Sequence, residues 1–325
     1  MAQPNVNSVH VDAILTNISI AYLQNQSNFI ASQVFPTVPV DKASDLYYKY
    51  RKNDWFRDEA QRRADATESA GSGYNLDQDS YNTQVWAFHK DIGDQTAANA
   101  DAPLNLEADA TAFVSQRLAI RREIDFVSKY FVTSVWATDI TGVVSAPSGI
   151  QTIQWSTATG SDPISDIDLG KDTILQNTGF EPNTLVVGYK VWRVLKKHAL
   201  VVDRYKYTSS ASITTAMVAE LFEIDRILVA KAVKATNNEG ATEAYAFTHG
   251  NNALLCYSAP NPGLLVPSAG YCFSWTGVSK GLGATTAVKT FYMQELSAQR
   301  VEAEQAWDQK VVATDLGYFF SGIVQ

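Results

Sequence analysis

Residues 105–135 read NLEADATAFVSQRLAIRREIDFVSKYFVTSV, and this stretch decides the architecture. Leu106, Ala110, Phe113, Ile120, Ile124, Val127 and Phe131 recur at spacings of three, four or seven, the period of an amphipathic helix. Arg117 fills the one gap in that stripe. Asn105 suits an N-cap, and Glu107 and Asp109 stand in the first turn, where the helix dipole favours anions. Carried to Val135, the helix has about 30 residues and a length of about 45 Å. A single-stripe helix that long is a spine, longer than a compact globule of 325 residues needs.

Upstream, Leu46 to Phe56 is aromatic and basic, with Tyr47, Tyr48, Lys49, Tyr50, Arg51, Lys52 and Trp55. Ser80 to Lys90 alternates as a strand does, Tyr81, Thr83, Val85 and Ala87 against Asn82, Gln84, Trp86 and Phe88. Arg57 to Asp79 lies between them, rich in charge and small residues, with Gly71-Ser72-Gly73. The expectation is a long antiparallel hairpin with a mobile polar tip. A two-stranded hairpin is marginal in water, and this one has large side chains on both faces and no third strand in sequence. Another subunit is its natural support. Before it, residues 1–34 read as an extended arm with a short helix over Ala21 to Val34, where Tyr22, Leu23, Gln26, Phe29 and Ile30 recur at helical spacing. Pro36 and Pro39 then force extended backbone.

Downstream, Thr138 to Gly160 has the composition of turns and short strands, and α/β alternation follows. Helices are expected over Ser165–Thr178, ended by Gly179, over Tyr189–His198 and over Thr214–Phe222. Strands are expected at Thr184–Gly188, Arg226–Val233, Asn252–Tyr257 and Tyr271–Trp275, with Pro260, Pro262 and Pro267 in the loop between the last two. Strand patterning returns over Val288–Val324. The fold class is α+β.

The composition narrows the function. Lys and Arg total 26 against 34 Asp and Glu, a formal charge of −8, with 46% hydrophobic and 18% charged residues. That is a globular chain, and it lacks the clustered basic residues that wrapping nucleic acid requires. No apolar run approaches the roughly 20 residues of a membrane span. Met1 to His10 carries no secretory pattern, so cytoplasmic synthesis is expected, and Cys256 and Cys272 are expected to be reduced. His10, His89, His198 and His249 are scattered without ligand spacing, and no HExxH or GxSxG occurs. Gly281-Leu282-Gly283 lacks the context of a nucleotide loop. The carboxylate pairs Asp77/Asp79 and Glu302/Glu304 sit among polar residues, without the contrasting environments that catalytic pairs need. The chain therefore reads as non-enzymatic, with no catalytic, cofactor-binding or metal-binding residues. The cluster Arg117, Arg121 and Arg122, beside Glu123 and Asp125, fits either a solvated face or charge pairs between subunits. The aromatics of Tyr47–Trp55 suit stacking on sugars or bases, but packing under neighbouring chains accounts for them with fewer assumptions.

Four stretches, taken in order, resemble the HK97-type major capsid proteins of tailed phages. FIASQVFPTVPVDKASDLYYKYRKNDWFRDEAQRRA is similar to the segment that leads into the E-loop. EPNTLVVGYKVWRVLKKH resembles an A-domain strand and its helix, and ITTAMVAELFEIDRILVAKAV the next helix–strand pair. QKVVATDLGYFFSGIV resembles the closing P-domain strand. The likeness runs from Phe29 to Val324. It implies an N-terminal arm (1–36), an E-loop hairpin (37–92), a P-domain with the spine helix (93–160), an A-domain (161–284) and C-terminal P-domain strands (285–325). It implies a subunit that self-assembles as hexamers and pentamers into an icosahedral head enclosing the genome, a virion protein assembled in the host cytoplasm. A separate scaffolding protein, a portal and a decoration protein are the expected partners, with enclosed DNA that is not bound by sequence and no membrane. The expected subunit interface comprises Tyr48, Tyr50, Arg51, Trp55, Arg57, Trp86, Arg117, Arg121 and Arg122. Two rivals are a nanocompartment shell of the same fold and a carbohydrate-binding virion surface protein.

Overall fold

The spine helix runs Leu106–Tyr130, and the Asn105 side chain accepts from the Ala108 backbone N–H at 3.1 Å. It stops before the expected Val135. Phe131 has left helical geometry (φ −102°, ψ 42°), and its ring turns inward to meet Phe319 edge-on at 5.4 Å. Val132 and Thr133 are β-branched and weak helix formers. Trp136 Nε1 then caps the Tyr130 carbonyl at 2.8 Å. The computed structural model describes residues 23–100, 104–205, 213–263, 265–279 and 286–325. The arm expected over residues 1–22, with His10, and the Gly281-Leu282-Gly283 loop lie outside the described residues.

The helix lies along the longest strand, Ala298–Val311. Gln84–Gly93 pairs along one edge of that strand, from Ala298↔Gly93 to Trp307↔Gln84. Its other edge takes Thr286–Met293 and then Gly270–Trp275, which in turn pairs in parallel with Thr37–Val40. Ala110, Val114 and Leu118 pack on Ile92, Val301 and Ala303. The buried row is thus shifted from the expected one, and Phe113 is 38% exposed. Apolar residues occupy both rows of the helix, so periodicity does not choose between them. The sheet chooses, and Phe113 is left at the margin against Phe88.

The second sheet runs Gln151–Ile153, Thr138–Val143, Gly317–Ser321, Ala253–Cys256, Thr184–Gly188, Arg226–Ala230. Its central strands are fully buried, and the helices Pro163–Thr178, Tyr189–Leu195, Ala199–Tyr205 and Thr215–Leu221 accompany them. Asp162 caps the first of these helices, and Gly179 ends it with φ 73°. One hydrophobic core joins this hub to the lower spine through Phe35, Phe126, Phe131, Trp136 and Phe319.

The segment Leu23–Phe35 is strapped across the seam between spine and hub. Gln24 exchanges two hydrogen bonds with the Val233 backbone, and its own N–H donates to Gln116. The short helix Ala31–Val34 replaces the longer one expected from Ala21, and Phe35 meets Phe126 at 5.2 Å.

The hairpin differs from its expected form. Ser44–Tyr50 pairs with Leu76–Asn82, from Ser44↔Asn82 to Tyr50↔Leu76. Gln84–Gly93, read as part of the hairpin arm, belongs to the spine sheet. The chain changes partner at Thr83, whose N–H and Oγ1 both donate to the Ala43 carbonyl at 2.8 Å. No helix among the described residues is long and apolar enough to cross a membrane.

Candidate assembly surfaces

The hairpin root is packed and its far end is open. Tyr81 stacks on Phe273 at 4.6 Å, and Tyr47 approaches the same ring at 5.3 Å. Charge pairs knit the two arms beyond the root. Lys49 meets Asp79 at 2.9 Å and, with burial opposing it, brings the Asp79 carboxyl down to about 2. Arg51 grips Asp77 through two 2.8 Å bonds, a bidentate geometry that fixes orientation as well as charge. Asp54 accepts from the Asn75 backbone N–H at 2.8 Å and so closes the base of the tip.

Above these pairs stands an aromatic trio. Tyr50, Trp55 and Tyr74 lie 5.8 Å apart, centroid to centroid, in all three pairings. They cover one another, yet Trp55 remains 55% and Tyr74 59% exposed. Leu46, Tyr48, Phe56 and Leu76 are also exposed. An apolar surface of this kind, on a thin ribbon rimmed by charge, marks an interaction site. Arg57 lies near Asp54 and Glu59 at the start of a tip that is exposed throughout. The hairpin also touches its own subunit beyond the root. Lys52 pairs with Asp315, and the Phe56 ring stands beside Gly179. The projection expected from sequence is therefore partial.

The other expected interface residues do not join this cluster. Trp86 lies in the spine sheet, stacked on Trp307 at 5.6 Å, with the Arg121 guanidinium 4.4 Å above its ring. Arg117 covers Phe113 at 5.1 Å. Among the described residues neither Arg117 nor Arg121 has a carboxylate partner, and both are exposed. Arg122 turns inward and donates to Thr37 Oγ1 at 3.0 Å and to Cys272 Sγ at 3.2 Å. These two partners lie in its own chain, so Arg122 differs from the two exposed arginines beside it.

Sequence reasoning missed Phe56, Tyr74 and Leu76, the facing half of the aromatic surface. The pairing Tyr50↔Leu76 is the signal that brings Tyr74 to this end, and it depends on a register unknown before folding. It also missed the outer edge of Thr286–Met293, where Val288, Phe291 and Tyr292 are exposed. Among the described residues that strand has one partner, so a row of backbone groups faces outward.

No group of three His, Cys, Asp or Glu residues able to hold a metal occurs among the described residues. Cys256 and Cys272 are buried free thiols, as expected. A shallow cavity of about 290 Å³ lies at the upper end of the spine, between Ile92, Leu106 and Leu296.

The family model for phage major capsid protein E matches residues 149–263. A curated major capsid protein of Burkholderia phage BcepMu is 25% identical over 324 residues, covering 96% of each chain. Among solved structures, a phage-related protein from Bordetella bronchiseptica RB50 superposes with a TM-score of 0.67 at 22% identity, over 92% of this chain and 94% of that one. The capsid of cyanophage P-SCSP1u matches with a TM-score of 0.62 at 11% identity, over 98% of this chain and 95% of that one.

Proposed function

We propose, from the premise that this chain is a phage major capsid protein with the HK97 fold, that its copies meet through the hairpin's aromatic end and the basic margin of the spine helix. The virion shell is a homo-oligomer, so each surface left open on one subunit has another copy within reach. The observation that carries the reading is the trio Tyr50, Trp55 and Tyr74, held in shape by the Arg51–Asp77 fork and still half-exposed. Rigid aromatics of this kind anchor protein interfaces at low entropic cost. Arg117 and Arg121 add cations along the spine.

In this reading residues 1–36 form the arm, 37–92 the E-loop region, 93–160 and 285–325 the P-domain and 161–284 the A-domain. By its pairing, Gln84–Gly93 works with the P-domain. Subunits group as hexamers and pentamers in the host cytoplasm, guided by a separate scaffolding protein and completed by a portal and a decoration protein. The mechanism is structural and involves no catalysis. A net charge of −8 suits a wall that encloses DNA without gripping it.

Cryo-microscopy of the expressed chain, alone and with its neighbouring gene products, tests this. Closed shells with hairpins lying on adjacent subunits are expected. A monomer that binds glycans and never assembles would overturn it, and shells that take up protein cargo in place of a genome would make it a nanocompartment.

A further inference from the structure

Glu123 and His249 are both fully buried, and Glu123 Oε1 lies 3.7 Å from His249 Nε2. They belong to different parts of the fold. Glu123 is on the spine helix, while His249 is on the loop that leads into the hub strand Ala253–Cys256. A third part meets them, because the Ile30 and Ala31 backbone N–H groups both donate to the Glu123 carboxyl, at 3.0 to 3.2 Å. Phe126 and Phe131 close the site around the imidazole.

We assign the imidazole proton from the hydrogen bonds around the ring. Thr248 Oγ1 gives its only hydrogen to the Ala232 carbonyl at 3.2 Å. With that hydrogen committed, Thr248 Oγ1 accepts from His249 Nδ1, 3.0 Å away. In that arrangement Nδ1 carries the ring proton of the neutral imidazole, and Nε2 presents a lone pair. Among the described residues Nε2 has no hydrogen-bond partner, and it faces the Glu123 carboxyl group. Two acceptors facing each other in a dry site repel. One proton between them removes that repulsion, and a closer approach from 3.7 Å makes the contact a hydrogen bond.

We propose that Glu123 and His249 share a single proton, carried on Glu123 and offered to His249 Nε2, and that this pair clasps the N-terminal strap and the hub loop onto the spine. A neutral acid and a neutral base avoid the desolvation cost of a buried ion pair. Burial acts the same way on each group, raising the Glu123 carboxyl to about 7 and lowering the His249 imidazole to about 3. The surrounding charges do not displace the proton. On the spine, Arg122 favours the ionised carboxyl but turns its guanidinium to Thr37 and Cys272, and Asp125 is engaged by Lys129. Residues 28–35 of the strap and 248–252 of the hub loop include no other charged group. Arg226 reaches the strap from the far side, at the Gln33 carbonyl.

The clasp has a distinctive proton count. Ordinary values are 4.5 for Glu and 6.5 for His. Between them the unfolded chain holds one proton, on His, and the folded pair also holds one, on Glu. Stability depends on pH only through the difference in bound protons. The pair therefore contributes no slope across this window, and the clasp is indifferent to mild acid.

Each single variant unbalances the count, in opposite directions. Glu123→Gln can still donate to Nε2 but binds no proton, so the unfolded state binds one more and stability rises with pH up to about 6.5. His249→Asn leaves a buried acid that keeps its proton, so the folded state binds one more and stability falls as pH rises. Urea unfolding of the full chain from pH 4.5 to 6.5 reads both. Relative to the wild type, the unfolding equilibrium constant should change about tenfold per pH unit, with opposite signs in the two variants. Slopes that match the wild type, or tilt the same way, overturn the proposal. Should a variant fail to fold, nitrogen NMR of the wild type labelled at histidine decides. A neutral His249 protonated at Nδ1 at pH 6 supports the pair, and an imidazolium overturns it.

Discussion

Arg122 bridges the spine helix, the strand Thr37–Val40 and the strand Gly270–Trp275 within one subunit. Its neighbours Arg117 and Arg121, five residues and one residue away, lie over aromatic rings at the surface. The three therefore separate in their effects. Arg122→Ala removes hydrogen bonds to partly buried groups, and the subunit should lose about 1–3 kcal/mol of stability, read by urea unfolding, with the salt dependence of assembly unchanged. Arg117→Glu with Arg121→Glu should leave subunit stability within about 0.5 kcal/mol, since surface changes usually do. That pair should lower shell yield and alter its salt dependence, because each exposed contact is worth only about 0–1 kcal/mol but repeats around a shell. Unchanged yield and salt dependence in the double variant would remove the spine margin from the interface. The cysteines are a second residue-level case. Burial pushes the Cys256 thiol up to about 12 and also raises Cys272, the Arg122 guanidinium beside it notwithstanding. The thiolate is the reactive form, so neither thiol should react with an aromatic disulfide reagent at pH 8 until denaturant is added. Two thiols titrating in the native chain would contradict the burial.

The hairpin shows what an element can do without a core of its own. Its aromatic end packs ring on ring while still facing solvent. Trp55→Ala with Tyr74→Ala should change subunit stability by less than about 1 kcal/mol. Sedimentation should show assembly reduced strongly, since buried aromatic anchors typically cost about 2 kcal/mol or more when truncated. Normal shells from that variant would move the hairpin contact elsewhere. The same element marks where sequence reading succeeds and stops. The helix cap at Asn105, the C-terminal stop at Gly179 and the buried strands of the hub follow from local chemistry, and all are present. The division of residues 80–90 between two sheets does not. It depends on Ala298–Val311, far along the chain, taking Gln84–Gly93 as its partner. For the same reason Trp86, counted with the hairpin, lies on Trp307. Glu123 and Asp125 read as part of either a solvated face or a set of charge pairs between subunits, because nothing local reveals the strap and the strand that bury them.

At the scale of the whole molecule, order falls off along the hairpin. The hub and lower spine share one core, and the hairpin root shares a small one around Phe273. Beyond Phe56 the chain from Arg57 to Gly73 is exposed throughout and forms no strand. It is held by ion pairs close in sequence, Arg57 with Asp54 and Glu59, and by Arg63 donating to the Thr67 carbonyl. A Cβ added at Gly71 or Gly73 would meet nothing within 4 Å. Two seven-residue arms reach about 23 Å at 3.3 Å per residue, far enough to carry this tip to a neighbouring subunit. Lys52–Asp315 leans the hairpin toward its own hub, but a single exposed pair is too weak to order what lies beyond it. Proteases cut where backbone is open and contacts are few. Limited proteolysis of the unassembled subunit should therefore cut first near Gly71-Ser72-Gly73, while the hub and spine stay whole. In the shell, a neighbour lying on the aromatic end should slow cleavage at those same bonds by tenfold or more, roughly the effect of about 1.4 kcal/mol of local ordering. Equal cleavage rates in subunit and shell would mean that no neighbour orders the tip, and the hairpin's part in assembly would then be confined to its root.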